Sequence, residues 1–204
     1  MREPTDKAVA AAEAIFAEWG GVMRTREALN AGIHERTLYW MRDSGKLETL
    51  SRGVFHLAST PFPESLDVAV VMRRAPKAVL CLVSALAYHQ IGTQIPHAVQ
   101  IALPRNVRPP KFDYPPVQVF SMSHAAFSAG VETHSMGGTP IRVYSVAKTV
   151  ADCFKYRNKI GFDVAMEALQ EVVRRRDASP AEIMEFARID KIESVVGPYL
   201  TALL

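Results

Sequence analysis

Residues 24–53 read RTREALNAGIHERTLYWMRDSGKLETLSRG, and the interpretation of the whole chain turns on them. Thr25 is a hydroxyl residue suited to cap a short helix running through Leu29 to Ala31. Gly32 supplies a turn, and Ile33 points back to the core. A second helix follows from His34 to about Ser44, with Leu38 and Met41 inward and Leu47 closing the cluster. Its outer face presents Glu35, Arg36, Tyr39, Trp40 and Asp43, and Gly45 stops it. Residues 47–50 and 54–57 read as strands around Ser51-Arg52-Gly53, a turn in which glycine accepts a positive φ. Helix, turn, helix and hairpin in this order predict a winged helix-turn-helix.

Upstream, Val9, Ala12, Ile15, Phe16 and Trp19 recur at helical spacing, so residues 6–19 form a supporting helix that Gly20-Gly21 ends. Residues 21–23 read as an extended link. Downstream, residues 58–65 (ASTPFPES) mark a boundary. It divides a winged helix-turn-helix DNA-binding domain at 1–60 from a larger domain at 64–204. In the larger domain, 66–74 reads as a largely buried helix, 78–83 as a buried strand and 84–91 as a helix. Strands follow at 98–103 and 117–122, flanking a basic loop at 104–116 that holds five prolines. A hairpin turns at Gly137-Gly138. Helices then occupy 145–156 and 162–176, and Ser179-Pro180-Ala181-Glu182 is a capping box that opens another. Gly197-Pro198 precedes a last apolar turn. The fold class is therefore α+β, a winged helix-turn-helix followed by a larger α+β domain ending in a helical bundle.

With 49% apolar residues in 204, the chain can build a sizeable core. Its net charge is only +3, unevenly spread. Lys/Arg and Asp/Glu number 8 and 8 in residues 1–60, 11 and 5 in 61–160, and 5 and 8 in 161–204. The basic excess lies outside the winged segment, so DNA contact there must rest on a few side chains. Cys81 and Cys153 sit in apolar surroundings with no ligand spacing, as buried thiols of a reducing cytoplasm do. The uncharged run 78–104 is broken by His89, Gln90, Gly92, Pro96 and His97, too often for a membrane span.

In a helix-turn-helix the start of the second helix enters the major groove, which here places His34, Glu35, Arg36 and Thr37 at the bases. Arg36 suits guanine O6/N7, and Glu35 suits cytosine N4. Tyr39, Arg42 and Lys46 lie where phosphates run, as do Arg24 and Arg26 at the preceding helix, and Arg52 crowns the wing. The competing reading is a protein-interaction module whose charges form a solvated face. A second basic surface is expected from Arg73, Arg74, Lys77, Arg105, Arg108 and Lys111. No phosphate-binding loop, nucleophile elbow or metal-ligand motif occurs, and the six histidines are scattered, so neither cofactor nor metal nor catalysis is expected. Asp152 with Lys148 and Lys155 can be drawn as part of a nuclease site. The plainer reading makes them the polar face of the 145–156 helix, and Arg174-Arg175-Arg176 a dipole-favoured helix end.

Residues 24–58, RTREALNAGIHERTLYWMRDSGKLETLSRGVFHLA, resemble the N-terminal domain of AbiEi-type antitoxins. VLCLVSALAYHQIGTQIP at 79–96, VQIALPRN at 99–106 and YSVAKTVADCFKYRNKIGFDVAMEALQEVV at 144–173 resemble that family's C-terminal domain. The resemblance implies the regulatory half of a type IV toxin–antitoxin and phage-defence system. Its winged domain would repress its own operon at inverted repeats in double-stranded operator DNA. Its second domain would counteract a nucleotidyltransferase-like toxin of the AbiEii type, with which it need not form a stable complex. Carried over by position, recognition begins at His34, Glu35, Arg36 and Thr37 with Tyr39 behind, and the wing is at Arg52-Gly53. His34 and Glu35 depart from the family's usual hydroxyl cap and basic residue, which implies either weak non-specific DNA affinity or a different operator. The alternatives are a winged-helix-guided nuclease and a plain transcription factor without a toxin.

Overall fold

The computed structural model describes residues 3–60, 66–112, 114–136 and 139–204. The core of the expected boundary, 61–65, and the expected hairpin turn, Gly137-Gly138, lie outside the described residues. The chain is α+β and forms two compact units. One gathers Met1–Pro76 with Pro110–Pro115 and Ser135–Ile141; the other gathers Lys77–Pro109, Pro116–His134 and Arg142–Leu204.

In the first unit, α1 (Asp6–Glu18) starts where the Thr5 hydroxyl accepts from the Ala8 N–H, and it buries Val9, Ala12 and Phe16. Residues read as a link form a strand instead, β1 (Val22–Arg24). Its partner is distant: Val22 pairs with His56 and Arg24 with Val54. Three residues are too few to show an alternation, so only the partner reveals the strand. Thr25 is not the cap of α2 (Thr25–Asn30) but its first residue. Arg24 takes the cap position, and its N–H donates to the Glu27 carboxylate at 2.8 Å. Gly32 turns the chain at φ +94° into α3 (Glu35–Asp43). β2 (Leu47–Ser51) and β3 (Val54–Leu57) pair antiparallel, giving a three-stranded sheet in the order β1-β3-β2. Phe16, Met23, Ile33, Leu38, Met41 and Phe55 share one core beneath the helix pair. α4 (Leu66–Arg74) belongs to the same unit, with Val70 packed on Val22 and Val54.

The five-stranded sheet runs β6-β5-β4-β8-β7. Its strands are β4 (Val79–Leu80), β5 (Val99–Pro104), β6 (Val117–Met122), β7 (Val131–Met136) and β8 (Thr139–Tyr144). β5 and β6 are parallel, and parallel neighbours need a crossover of about a dozen residues. The proline-rich stretch 105–116 supplies it. The expected strand at 78–83 is only two residues long, because the backbone turns at Leu82 (φ +49°) into α5 (Leu82–Tyr88). An uninterrupted apolar run does not tell a buried strand from a buried helix. A short helix not expected from sequence, α6 (His124–Ser128), is capped by Ser123. α7 (Val146–Lys155), α8 (Arg157–Ile160), α9 (Phe162–Arg175), α10 (Pro180–Asp190) and α11 (Glu193–Ala202) complete the helical end. The capping box at Ser179 forms as read. Gly197-Pro198, however, lies inside α11 rather than before a final turn. Proline withholds the donor due to the Ser194 carbonyl, and the helix continues because Val196 and Leu200 on either side of it are buried. No helix among the described residues is long and apolar enough to cross a membrane.

Candidate nucleic-acid interface

α3 is held to its unit by Leu38 and Met41, both fully buried, which fixes the face it leaves outward. His34 occupies its cap position, and Nδ1 accepts from the Arg36 N–H at 3.1 Å. Glu35 and Arg36 are exposed on the first turn, and Arg36 has no ion pair among the described residues. Thr37 corrects the sequence reading: at 4% exposed it packs inward and presents nothing to a groove. Two positions along a helix turn a side chain by about 200°, so Thr37 cannot share the face of Glu35. Tyr39 is half-buried against the core, with the Arg42 guanidinium 4.8 Å from its ring centre.

Arg42 and Lys46 are exposed and carry local counter-ions, Asp43 at 2.6 Å and Glu13 at 2.7 Å. Exposed pairs of this kind are worth less than about 1 kcal/mol and yield readily to a phosphate. Arg26 and Arg52 are exposed, Arg24 half-exposed. The hairpin turn bearing Arg52 is tied to α2, since the Thr25 N–H donates to the Gly53 carbonyl at 3.0 Å. Arg24, Arg26, Arg36, Arg42, Lys46 and Arg52 thus belong to one unit and keep exposed or half-exposed charges.

The second basic surface does not hold together as expected. Arg73 is 2% exposed and is not a surface residue. Its Nη1 lies 2.9 Å from the Glu27 carboxylate, and it also donates to the Trp19 carbonyl and the Thr139 hydroxyl. Apolar Ala69, Val70 and Met72 turn that side of α4 inward, so the arginine goes in with them and takes its counter-ion along. Arg74 is half-exposed and binds the carbonyls of Lys111 and Arg52. Lys77, Arg105, Arg108 and Lys111 are exposed. Arg73, Arg74 and Lys111 fall in the first unit, and Lys77, Arg105 and Arg108 in the second.

Lys148 and Asp152 are not a solvated face of α7: both are fully buried. Lys148 pairs with Asp152 and, at 3.2 Å, with Asp190 of α10, which also pairs with Lys155 at 2.6 Å. Burial chiefly, with the negative Asp190 beside it, pushes the Asp152 carboxyl up to about 8, against the pull of Lys148. Asp190 suffers burial too, but its hydrogen bond with Asp152, the Lys148 charge and Lys155 together hold it below the ordinary range. A carboxyl and an ammonium closed off in this way offer no approach for a phosphodiester, so the group reads as an internal tie between α7 and α10. No cluster among the described residues could hold a metal ion. Cys81 and Cys153 are buried, and burial raises both thiols.

Residues 12–58 match the family model described as transcriptional regulator, AbiEi antitoxin. Comparison with curated proteins gives no match. Among solved structures the chain is similar to the RV2827C protein from Mycobacterium tuberculosis, with a TM-score of 0.59 at 14% identity. That similarity covers 98% of this chain and 83% of the other, and at such identity it speaks for the fold alone. The family match spans the helix pair and hairpin that carry the exposed arginines, and over residues 12–58 the chain is similar to the AbiEi antitoxin family of transcriptional regulators.

Proposed function

We propose that the protein is the antitoxin and autorepressor of a toxin–antitoxin operon. It binds inverted repeats in its own promoter through α3 and the hairpin, and it counteracts a nucleotidyltransferase-like toxin. The observation that carries this reading is Arg36. It is an exposed guanidinium on the first turn of α3 with no ion pair among the described residues, inside the segment that matches the regulator family. Such a group, close to a helix N-terminus and beside Glu35, suits a base edge in the major groove. Arg24, Arg26, Arg42, Lys46 and Arg52 supply phosphate contacts that set register. The protein works in the cytoplasm, without cofactor and without catalysis of its own, and the toxin contact need not be a stable complex.

A promoter–reporter fusion tests the regulatory half. Wild-type protein supplied in trans should lower expression, and Arg36→Ala should restore it. Co-expression with the product of a neighbouring nucleotidyltransferase gene tests the other half. Growth rescue by the full chain supports the antitoxin, whereas repression without rescue leaves a plain transcription factor.

A further inference from the structure

We propose that Lys111 and Arg52 form a single phosphate-binding point beside the hairpin, assembled by the Arg74 guanidinium, for the backbone of duplex DNA. This rests on the DNA-binding reading above and adds residues from a loop far away in sequence. Lys111 stands 59 positions after Arg52. Nevertheless Arg74 Nε donates to the Lys111 carbonyl at 2.9 Å and Nη1 donates to the Arg52 carbonyl at 2.7 Å. A guanidinium is one small planar fork, so it binds two carbonyls at once only where the two backbones run side by side. The Phe112 ring centre, 5.9 Å from the Arg74 carbon, fastens the loop further. On its other side the hairpin turn is held by the Thr25 N–H at Gly53.

Among the described residues no carboxylate forms an ion pair with Arg74, Arg52 or Lys111. Arg74 donates to carbonyl oxygens, not carboxylates, and so keeps its full positive charge. The side chains of Arg52 and Lys111 are exposed, and neither has an ion pair among the described residues. Arg74 thus brings together two backbone segments that each carry an exposed cationic side chain, and a row of phosphates suits such a concentration of positive charge. Lys111 reaches the phosphate, while Arg74 acts as a positioning residue.

The test is fluorescence polarisation of the full chain on two duplexes across a salt series. One duplex covers its own promoter, and the other is a scrambled duplex of equal length. Lys111→Ala should weaken both several-fold and lower the slope of log affinity against log salt by about 1. Arg74→Lys keeps the charge but cannot hold two carbonyls, so it should weaken binding in the wild-type background. It should have no further effect once Lys111 and Arg52 are both alanine, whereas a general loss of folding would persist there. Unchanged affinity and slope in Lys111→Ala, with Arg36→Ala still losing promoter preference, would overturn this inference and leave the proposed function standing. An equal Arg74→Lys effect in both backgrounds would overturn the positioning role. Failure of the wild type to bind either duplex would overturn both readings.

Discussion

Arg73 and Asp152 are ionisable side chains inside the protein, and each makes a measurable demand on stability. Arg73 has Glu27 as its partner, and Glu27 is still 28% exposed. Truncation to Arg73→Ala should therefore cost about 3 kcal/mol, the low end for breaking a buried pair, and urea unfolding of the full chain measures it. Asp152 gives a pH dependence. Its carboxyl is raised from 3.8 to about 8, so the folded protein keeps a proton that the unfolded chain has released. That contribution is complete below pH 4 or so and is lost as pH rises towards 8. Asp190 is lowered, so its own contribution is lost only in acid, outside this window. Asp152→Asn is neutral at every pH and should flatten the fall, which urea midpoints near pH 5 and pH 8 compare directly. Neither residue was legible in sequence. Arg73 reads as a basic side chain closing a helix, and Lys148 and Asp152 read as a polar face, because the partners Glu27 and Asp190 come from elements 46 and 38 positions away. Thr37 failed for a different reason: the face of a helix is fixed by what packs beneath it, not by its distance from the cap.

α3 is the element on which the proposed regulation turns, and its start is held by an imidazole rather than a hydroxyl. His34→Ala removes the acceptor for the Arg36 N–H and should cost about 1 kcal/mol, while His34→Asn should retain most of the stability. Thermal melts of the two variants separate them. Elements closed by local chemistry were readable in advance. α3 has its inward Leu38 and Met41 and its Gly45 stop, and α10 has its Ser179 capping box. Elements defined by a distant partner were not: β1 exists through β3, and the short β4 through β5 and β8. α11 resisted sequence reading for the opposite reason. Proline normally ends a helix, but burial of Val196 and Leu200 outweighs one missing hydrogen bond.

At the scale of the molecule, one unit carries the regulator match and the other a helical end tied by buried charge. The basic excess of residues 61–160 looked in sequence like a property of the second domain. Part of it belongs to the first unit through Arg73, Arg74 and Lys111, which changes what that excess implies. Few side chains carry the proposed DNA contact, and specificity on so few contacts must be sensitive to single changes. The central claim is that α3 reads the promoter by sequence. The most direct measurement is the affinity of wild type and Arg36→Ala for a duplex of the protein's own promoter and for a scrambled duplex, at one fixed salt concentration. The expected result is a wild-type preference of about a thousandfold or more for the promoter, reduced by about 1–3 kcal/mol in Arg36→Ala. Equal wild-type affinity for the two duplexes, or an unchanged preference in Arg36→Ala, would contradict it.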